Sequence, residues 1–301
     1  MSRSPASLRP VVPSGLDAIL ALWNATAAWD PCEASVLREK IFEDDAVAPE
    51  LRLGAFIGEE LVGLGVAATH ASRGYIKLLS VAPASRRRGI GAQLLAQLEE
   101  RLQTYGLQVI RVAESAPNYL TPGVDQRNQE ALQFFQRQGY RSIGTAYNQE
   151  VNLTQRDWDT TSDESDTWEA HAIRIRRAAG SDRESIQLLL TDHWPSWRAE
   201  VSRSLSADVP AVHVAVAEGQ VIAFAAYDGN NVGSGWFGPM GTAPSHTGKG
   251  LGRILLHRCL GDMRDQGRQT ATIPWVGPLS FYEQHAGATL DRTFTRFEKT
   301  L

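Results

Sequence analysis

Arg86-Arg87-Arg88-Gly89-Ile90-Gly91 and Thr247-Gly248-Lys249-Gly250-Leu251-Gly252 are two copies of one Gly-rich loop within a single chain. An apolar run precedes each loop: Leu78, Leu79 and Val81 in the first, Phe237 and Met240 in the second. A helix-patterned stretch follows each, and a proline, Pro83 or Pro244, stands just ahead. A strand, a Gly-rich turn and a helix together make an anion cradle. The helix N-terminus offers unpaired N–H groups and the positive end of its dipole. Two copies imply two cradles of the kind that grips a pyrophosphate.

The duplication reaches beyond the loops. Leu8 and Arg9, then Ser14, Asp17, Ile19 and Leu22, match Ile175 and Arg176, then Ser181, Glu184, Ile186 and Leu189. Each set predicts a short strand, an N-cap serine with an acidic residue at N3, and an apolar helix face. Phe134-Phe135 and Phe281-Tyr282 form a third match. The spacing between matched positions shrinks along the chain, so the first half carries extra residues. Most fall around Ala116–Gly123, a Pro-, Gly- and Asn-rich stretch that reads as a loop.

Each half has the same coarse order. Strand-like runs cover 53–56, 61–67 and 75–81 in the first half, and 212–216, 221–227 and 235–242 in the second. After the loop, Ile90, Leu94, Leu95, Leu98 and Leu102 keep a helical period, as do Leu251, Leu255, Leu256, Cys259, Leu260 and Met263. A strand, a second helix and a last strand follow. The fold class is therefore mixed α/β, made twice. The expected domains are 1–155 and 172–301, joined by an acidic, Ser- and Thr-rich connector over 156–171.

The 301 residues suffice for two ordinary domains. A net charge of -4 argues against general nucleic-acid binding, which usually shows a basic domain or stripe. Cys32 and Cys259 are the only cysteines, with no metal spacing between them; Cys259 falls on the apolar helix face. No apolar run reaches the ~18 residues of a membrane span, and residues 1–10 lack a signal-like core. A cytoplasmic protein, monomeric or homodimeric, without a metal or membrane partner, is expected. Two rival loop readings fail. Leu94 and Leu255 stand where a dinucleotide fingerprint needs its third glycine, and Gly250 follows Lys249 where a Walker loop needs Ser or Thr.

These residues resemble the GNAT acetyltransferase superfamily. Its motif, Arg/Gln-x-x-Gly-x-Gly/Ala, is met in full by Arg86, Gly89 and Gly91; in the second copy Gly250 and Gly252 fit while Thr247 replaces the Arg or Gln. Its later helix opens with aromatics and ends in Gly, as do Phe281, Tyr282, Glu283 and Gly287, and Phe134, Phe135 and Gly139. The resemblance implies two tandem domains, each a mixed, mostly antiparallel sheet flanked by helices. It implies acetyl-CoA as co-substrate. The backbone of Arg87, Arg88, Gly89, Ile90, Gly91 and Ala92, and of Gly248, Lys249, Gly250, Leu251, Gly252 and Arg253, would cradle the pyrophosphate, with Arg86 adding charge and Thr247 a hydroxyl. Leu79, Ser80 and Val81, and Met240, Gly241 and Thr242, would present backbone groups to the pantetheine arm and the thioester carbonyl.

The same resemblance makes Tyr282 the general acid for the leaving thiolate. Phe135 takes that place in the first half and has no proton to give, so catalysis is expected in the second. Asn128 holds the family's cofactor-contact position in the first half, where the second has Trp275. Asp228 is a candidate base and also suits a turn with Gly229; His213 and Glu218 read as strand-face and hairpin residues. His193, Trp194 and Trp197 fall where the acceptor site is covered. The expected function is transfer of acetyl from acetyl-CoA to a primary amine of a small molecule, with an amino sugar suggested by the tandem branch of the family. A non-catalytic acetyl-CoA-binding tandem module and a protein or peptide N-acetyltransferase are the alternatives.

Overall fold

A computed structural model of the chain describes residues 5–158 and 172–301. Most of the expected connector, from 159 to 171, lies outside the described residues. Two compact units emerge. The first takes the described residues through Ala146 together with Thr293–Leu301; the second is Tyr147–Arg292.

The first unit runs β1 (Ser7–Pro10), α1 (Leu16–Thr26), α2 (Ala34–Ile41), β2 (Arg52–Ile57), β3 (Glu60–His70), β4 (Arg73–Val81), α3 (Ile90–Thr104), β5 (Val109–Val112), β6 (Val124–Asp125) and α4 (Gln129–Arg137). Strands β1 to β4 form an antiparallel meander, and β5 joins β4 in parallel. Helix α3 packs Leu94, Leu95, Leu98 and Leu102 on one face of the sheet, all fully buried. Helices α1 and α2 cover the other face with Ile19, Leu22, Leu37 and Ile41. The apolar stripe read from the sequence is thus the core face of α3.

After β7 (Arg141–Asn152) the second unit repeats the order: β8 (Ile173–Arg177), α5 (Arg183–His193), α6 (Arg198–Leu205), β9 (Val212–Ala217), β10 (Gln220–Tyr227), β11 (Phe237–Thr242), α7 (Leu251–Asp265), β12 (Thr270–Ile273), α8 (Leu279–Ala286) and β13 (Thr289–Thr300). Strands β8 to β11 form an antiparallel sheet. Helix α7 buries Leu255, Leu256, Cys259, Leu260 and Met263, so Cys259 is core.

Three features differ from the sequence expectation. Short helices α2 and α6, eight residues each, follow the first helix of each half, where the sequence reading places none. Ser14 and Ser181 are not N-caps. A 3-10 turn, Pro13–Gly15 or Gly180–Asp182, encloses each serine, so Gly15 and Asp182 occupy the cap positions. The final strand does not stay with the half that precedes it: Glu298–Thr300 pair antiparallel with Arg111–Val109, and Phe294 and Thr295 pair with Asp125 and Val124. In the second unit, Gln149–Asn152 supply the strand that pairs β12.

Candidate functional site

The two loops share one backbone path. Arg87 has φ 60° and Gly89 φ 79°; Gly248 has φ 77° and Gly250 φ 78°. Two left-handed residues separated by one position, just ahead of a helix, turn backbone N–H groups toward one side, which makes an anion-binding nest. Gly89 and Gly250 are the N-caps of α3 and α7, and neither helix has a side-chain cap bond, although in the second copy the Arg253 N–H already donates to the Gly250 carbonyl at 3.1 Å. Arg86 braces the first loop. Its guanidinium donates to the Val81 carbonyl at 3.1 Å and to the Glu130 carboxylate at 2.8 Å. Thr247 donates to the Pro244 carbonyl at 3.0 Å. The motif's Arg-to-Thr change therefore alters a brace and leaves the nest intact.

Beside the first loop the sheet opens. Strand β4 pairs with β5 only as far as Ile76, and the last bond runs from the Ala113 N–H to the Ile76 carbonyl at 2.9 Å. A bulge shifts the β3–β4 register between Ile76 and Leu78. Beyond it, Lys77–Val81 run along a cavity of about 780 Å³. The cavity brings together Leu79, Ser80 and Val81 with Arg86, Arg87, Gly89, Ile90, Gly91 and Ala92 of the loop, and with Asn128 of the helix cap. Arg88 lies outside this wall. The Asn128 side-chain oxygen accepts the Ala131 N–H at 3.1 Å, which caps α4 and fixes the side chain against the cavity. Phe134 and Phe135 close one side.

Sequence reasoning missed the end of α1. Trp23, Thr26 and Ala27 line the same cavity, and the Thr26 and Ser80 hydroxyls lie 2.5 Å apart. The internal duplication held the signal. Ala27 and Trp194 are matched positions, and a cavity wall in one half marks its counterpart in the other.

The second unit repeats the frame with different contents. Trp236 bridges Thr272 in parallel, and β11 then departs over Phe237–Thr242. The Trp194 ring rests on Gly241: a methyl group there would stand 2.7 Å from two of its carbons. Met240 and Phe281 lie against Gly252. Tyr282 is 9% exposed, edge-on to Phe281 at 5.1 Å and to Phe237 at 6.3 Å. Burial pushes its hydroxyl pKa up to about 12, so it holds its proton at neutral pH.

The remaining candidates have structural partners. Asp228, at φ 52°, accepts the Gly233 N–H at 3.2 Å and faces Arg268 at 3.6 Å, so it organises the turn after β10. His213 lies 2.7 Å from the Asp262 carboxylate in the core. Glu218, at φ 51°, forms the β9–β10 turn. Trp197 stacks on Trp194 at 5.4 Å. Among the described residues no group of His, Cys, Asp and Glu has metal-ligand geometry, and no helix is long and apolar enough to cross a membrane.

Comparison with known proteins gives a consistent picture. The Acetyltransferase (GNAT) family model matches residues 16–140 and again 173–287. No curated protein matches the sequence. Among solved structures, the GCN5-related glucosamine N-acetyltransferase region of a fungal multi-domain GH3 beta-N-acetylglucosaminidase superposes with a TM-score of 0.81 at 17% identity, covering 98% of this chain. The match spans 38% of that longer protein. A tandem GNAT protein from the clavulanic acid biosynthesis pathway gives 0.73 at 16% identity, over 98% of both chains. A GCN5-related N-acetyltransferase from Sphaerobacter thermophilus gives 0.72 at 16% identity, over 100% of this chain and 96% of its own. At these identities the likeness is one of fold.

Proposed function

This chain belongs to the GNAT acetyltransferase family, whose members are acetyl-CoA-dependent N-acetyltransferases, and from that membership we propose that it moves acetyl from acetyl-CoA to the primary amine of a small molecule, with the carrier held in the first unit. The observation that carries this reading is the cavity of about 780 Å³ in which an anion nest, an open strand edge and the end of α1 meet. The nest from Arg87 to Ala92 suits the pyrophosphate. The Leu79–Val81 edge suits the pantetheine amides and the thioester carbonyl.

The chemistry follows from those groups. A neutral amine attacks the thioester carbon; the C–N bond forms and the carbonyl oxygen takes negative charge. Backbone N–H groups on a fixed strand edge stabilise that oxyanion without reorganising. The attacking nitrogen gives its proton to water, the C–S bond breaks, and the thiolate takes a proton back from water. Phe135 has no proton for that last step. Thr26 and Ser80 are the paired hydroxyls on the wall. An amino sugar is the favoured acceptor, since the glucosamine N-acetyltransferase region is among the similar folds.

A second reading places transfer in the second unit with Tyr282 as general acid. Its support is the protonated Tyr282 hydroxyl at the position matching Phe135, which lines the first cavity. Thiol release from acetyl-CoA with glucosamine and a panel of other amines separates the two. Gly91→Trp, which places an indole in the first loop, is expected to abolish turnover. Activity that survives Gly91→Trp and is lost in Tyr282→Phe establishes the second reading. Acetyl-CoA binding without turnover of any amine leaves a carrier-binding module.

A further inference from the structure

Among the matched positions at which the two units differ, two lie side by side where the strand edge meets the end of the first helix. Ala27 and Trp194 each follow the first helix of their half, and each donates its backbone N–H back into that helix, to Trp23 at 2.8 Å and to Leu190 at 2.7 Å. Ser80 and Gly241 are likewise matched: Ser80 pairs across the sheet with Leu64, and Gly241 with Phe224, one register step inside the strand end in both units. In the first unit this pair is Ala and Ser, and both line the cavity. In the second it is Trp and Gly, and the indole fills the room that the missing side chain leaves.

The contact is a tight one. A methyl on Gly241 would stand 2.7 Å from Cη2 and Cζ3 of Trp194 and 3.0 Å from Cζ2, closer than any side chain tolerates. The ring is also held from behind. Trp197 stacks on it at 5.4 Å with planes 15° apart, and Phe224 meets it edge-on at 6.0 Å. Stacked and edge-to-face aromatics of this kind hold one rotamer against solvent. The nest at Gly248 and Gly250 keeps its form, so the second loop alone does not explain a difference between the units.

We propose that Trp194 is the built-in occupant of the reactive end of the second cleft, so that each chain takes up one acetyl-CoA, in the first unit. This rests on the reading that the first cavity holds the carrier. It also makes second-unit chemistry through Tyr282 conditional on Trp194 leaving Gly241.

Calorimetric titration of the full chain with acetyl-CoA tests it by stoichiometry. One site is expected in the wild type, one in Trp194→Phe, and two in Trp194→Ala, where a methyl takes the place of the ring. The reciprocal graft, Ala27→Trp with Ser80→Gly, is expected to remove the wild-type site. It keeps the proposal falsifiable if Trp194→Ala does not fold. Two sites in the wild type, one site in folded Trp194→Ala, or a graft that binds normally overturns the closure and leaves the functional reading standing. No binding by the wild type overturns the functional reading itself.

Discussion

The Oγ1 of Thr26 lies 2.5 Å from the Oγ of Ser80, and the direction of the bond follows from its other partners. Thr26 also stands 2.9 Å from the Leu22 carbonyl and 3.0 Å from the Trp23 carbonyl. Those oxygens only accept, so the single Thr26 proton goes back into its own helix and Ser80 is the donor to Thr26. A hydroxyl relay thus ties the end of α1 to the open strand edge.

That relay predicts coupling. Thr26→Val removes the acceptor and Ser80→Ala the donor, and each is expected to cost about 1 kcal/mol, the usual net worth of such a bond. The double variant should cost clearly less than the two added together, because the same bond is lost only once. Urea unfolding of the four proteins measures this. Additive losses would mean the hydroxyls do not interact.

Arg87 is a non-glycine residue in a left-handed conformation, at φ 60°, where the second loop has Gly248 at φ 77°. Left-handed backbone costs an L-residue about 1–2 kcal/mol. Arg87→Gly is therefore expected to leave stability unchanged or raise it, the relief of strain opposing the greater freedom of glycine in the unfolded chain. If the nest works through backbone N–H groups, acetyl-CoA affinity should change by no more than a few-fold. A collapse in affinity would assign the pyrophosphate to the Arg87 side chain instead.

The loops were legible because their constraint is local: Gly89, Gly248 and Gly250 at positive φ, with Gly91 and Gly252 in the first turn of the helix, leave a Gly-rich run in each copy, and only Arg87 puts a side chain at a left-handed position. The core face of α3 was legible from its period alone. What escaped is nonlocal. Thr26 meets Ser80 across 54 positions of chain, and no composition or spacing marks that encounter. Trp194 was read as one residue of an acceptor-covering region, because nothing in its own neighbourhood announces that Gly241 is its partner. Asp228 shows the limit at close range. A carboxylate before Gly229 suits a turn brace and can also be offered as a base, and the Gly233 and Arg268 contacts put it in the turn.

Acid should act on the second unit through Asp182. Its carboxylate takes two hydrogen bonds from Arg176, at 2.6 and 2.8 Å, and one from the Ala179 N–H at 2.7 Å. The Arg176 bonds, above all, hold its pKa below the usual 3.8. A depressed carboxylate pKa means the unfolded state takes up its proton first. The stability it contributes is therefore complete above the unfolded value and is lost as pH falls through the folded one. Asp182→Asn should lower stability at pH 7 and narrow the gap to wild type as pH drops below about 4. Chemical denaturation from pH 7 to pH 3 checks the sign; a gap that stays constant would show that the carboxylate carries no pH-linked stability.

The chain's last strand predicts a dependence that a division at 155 would hide. Phe297 is fully buried in the core beneath α3, and Arg296 holds the buried Glu114 carboxylate through two bonds, at 2.6 and 2.9 Å. Both belong to the first unit although they lie near the C-terminus. Phe297→Ala should cost about 3–5 kcal/mol by leaving a cavity. The loss should appear where acetyl-CoA acts, since a ligand stabilises the folded unit that binds it. Removing residues 293–301 should go further and abolish acetyl-CoA binding. Thermal unfolding with and without acetyl-CoA reads both effects: a truncated chain that still gains stability from the carrier would mean the first unit closes its sheet without the final strand.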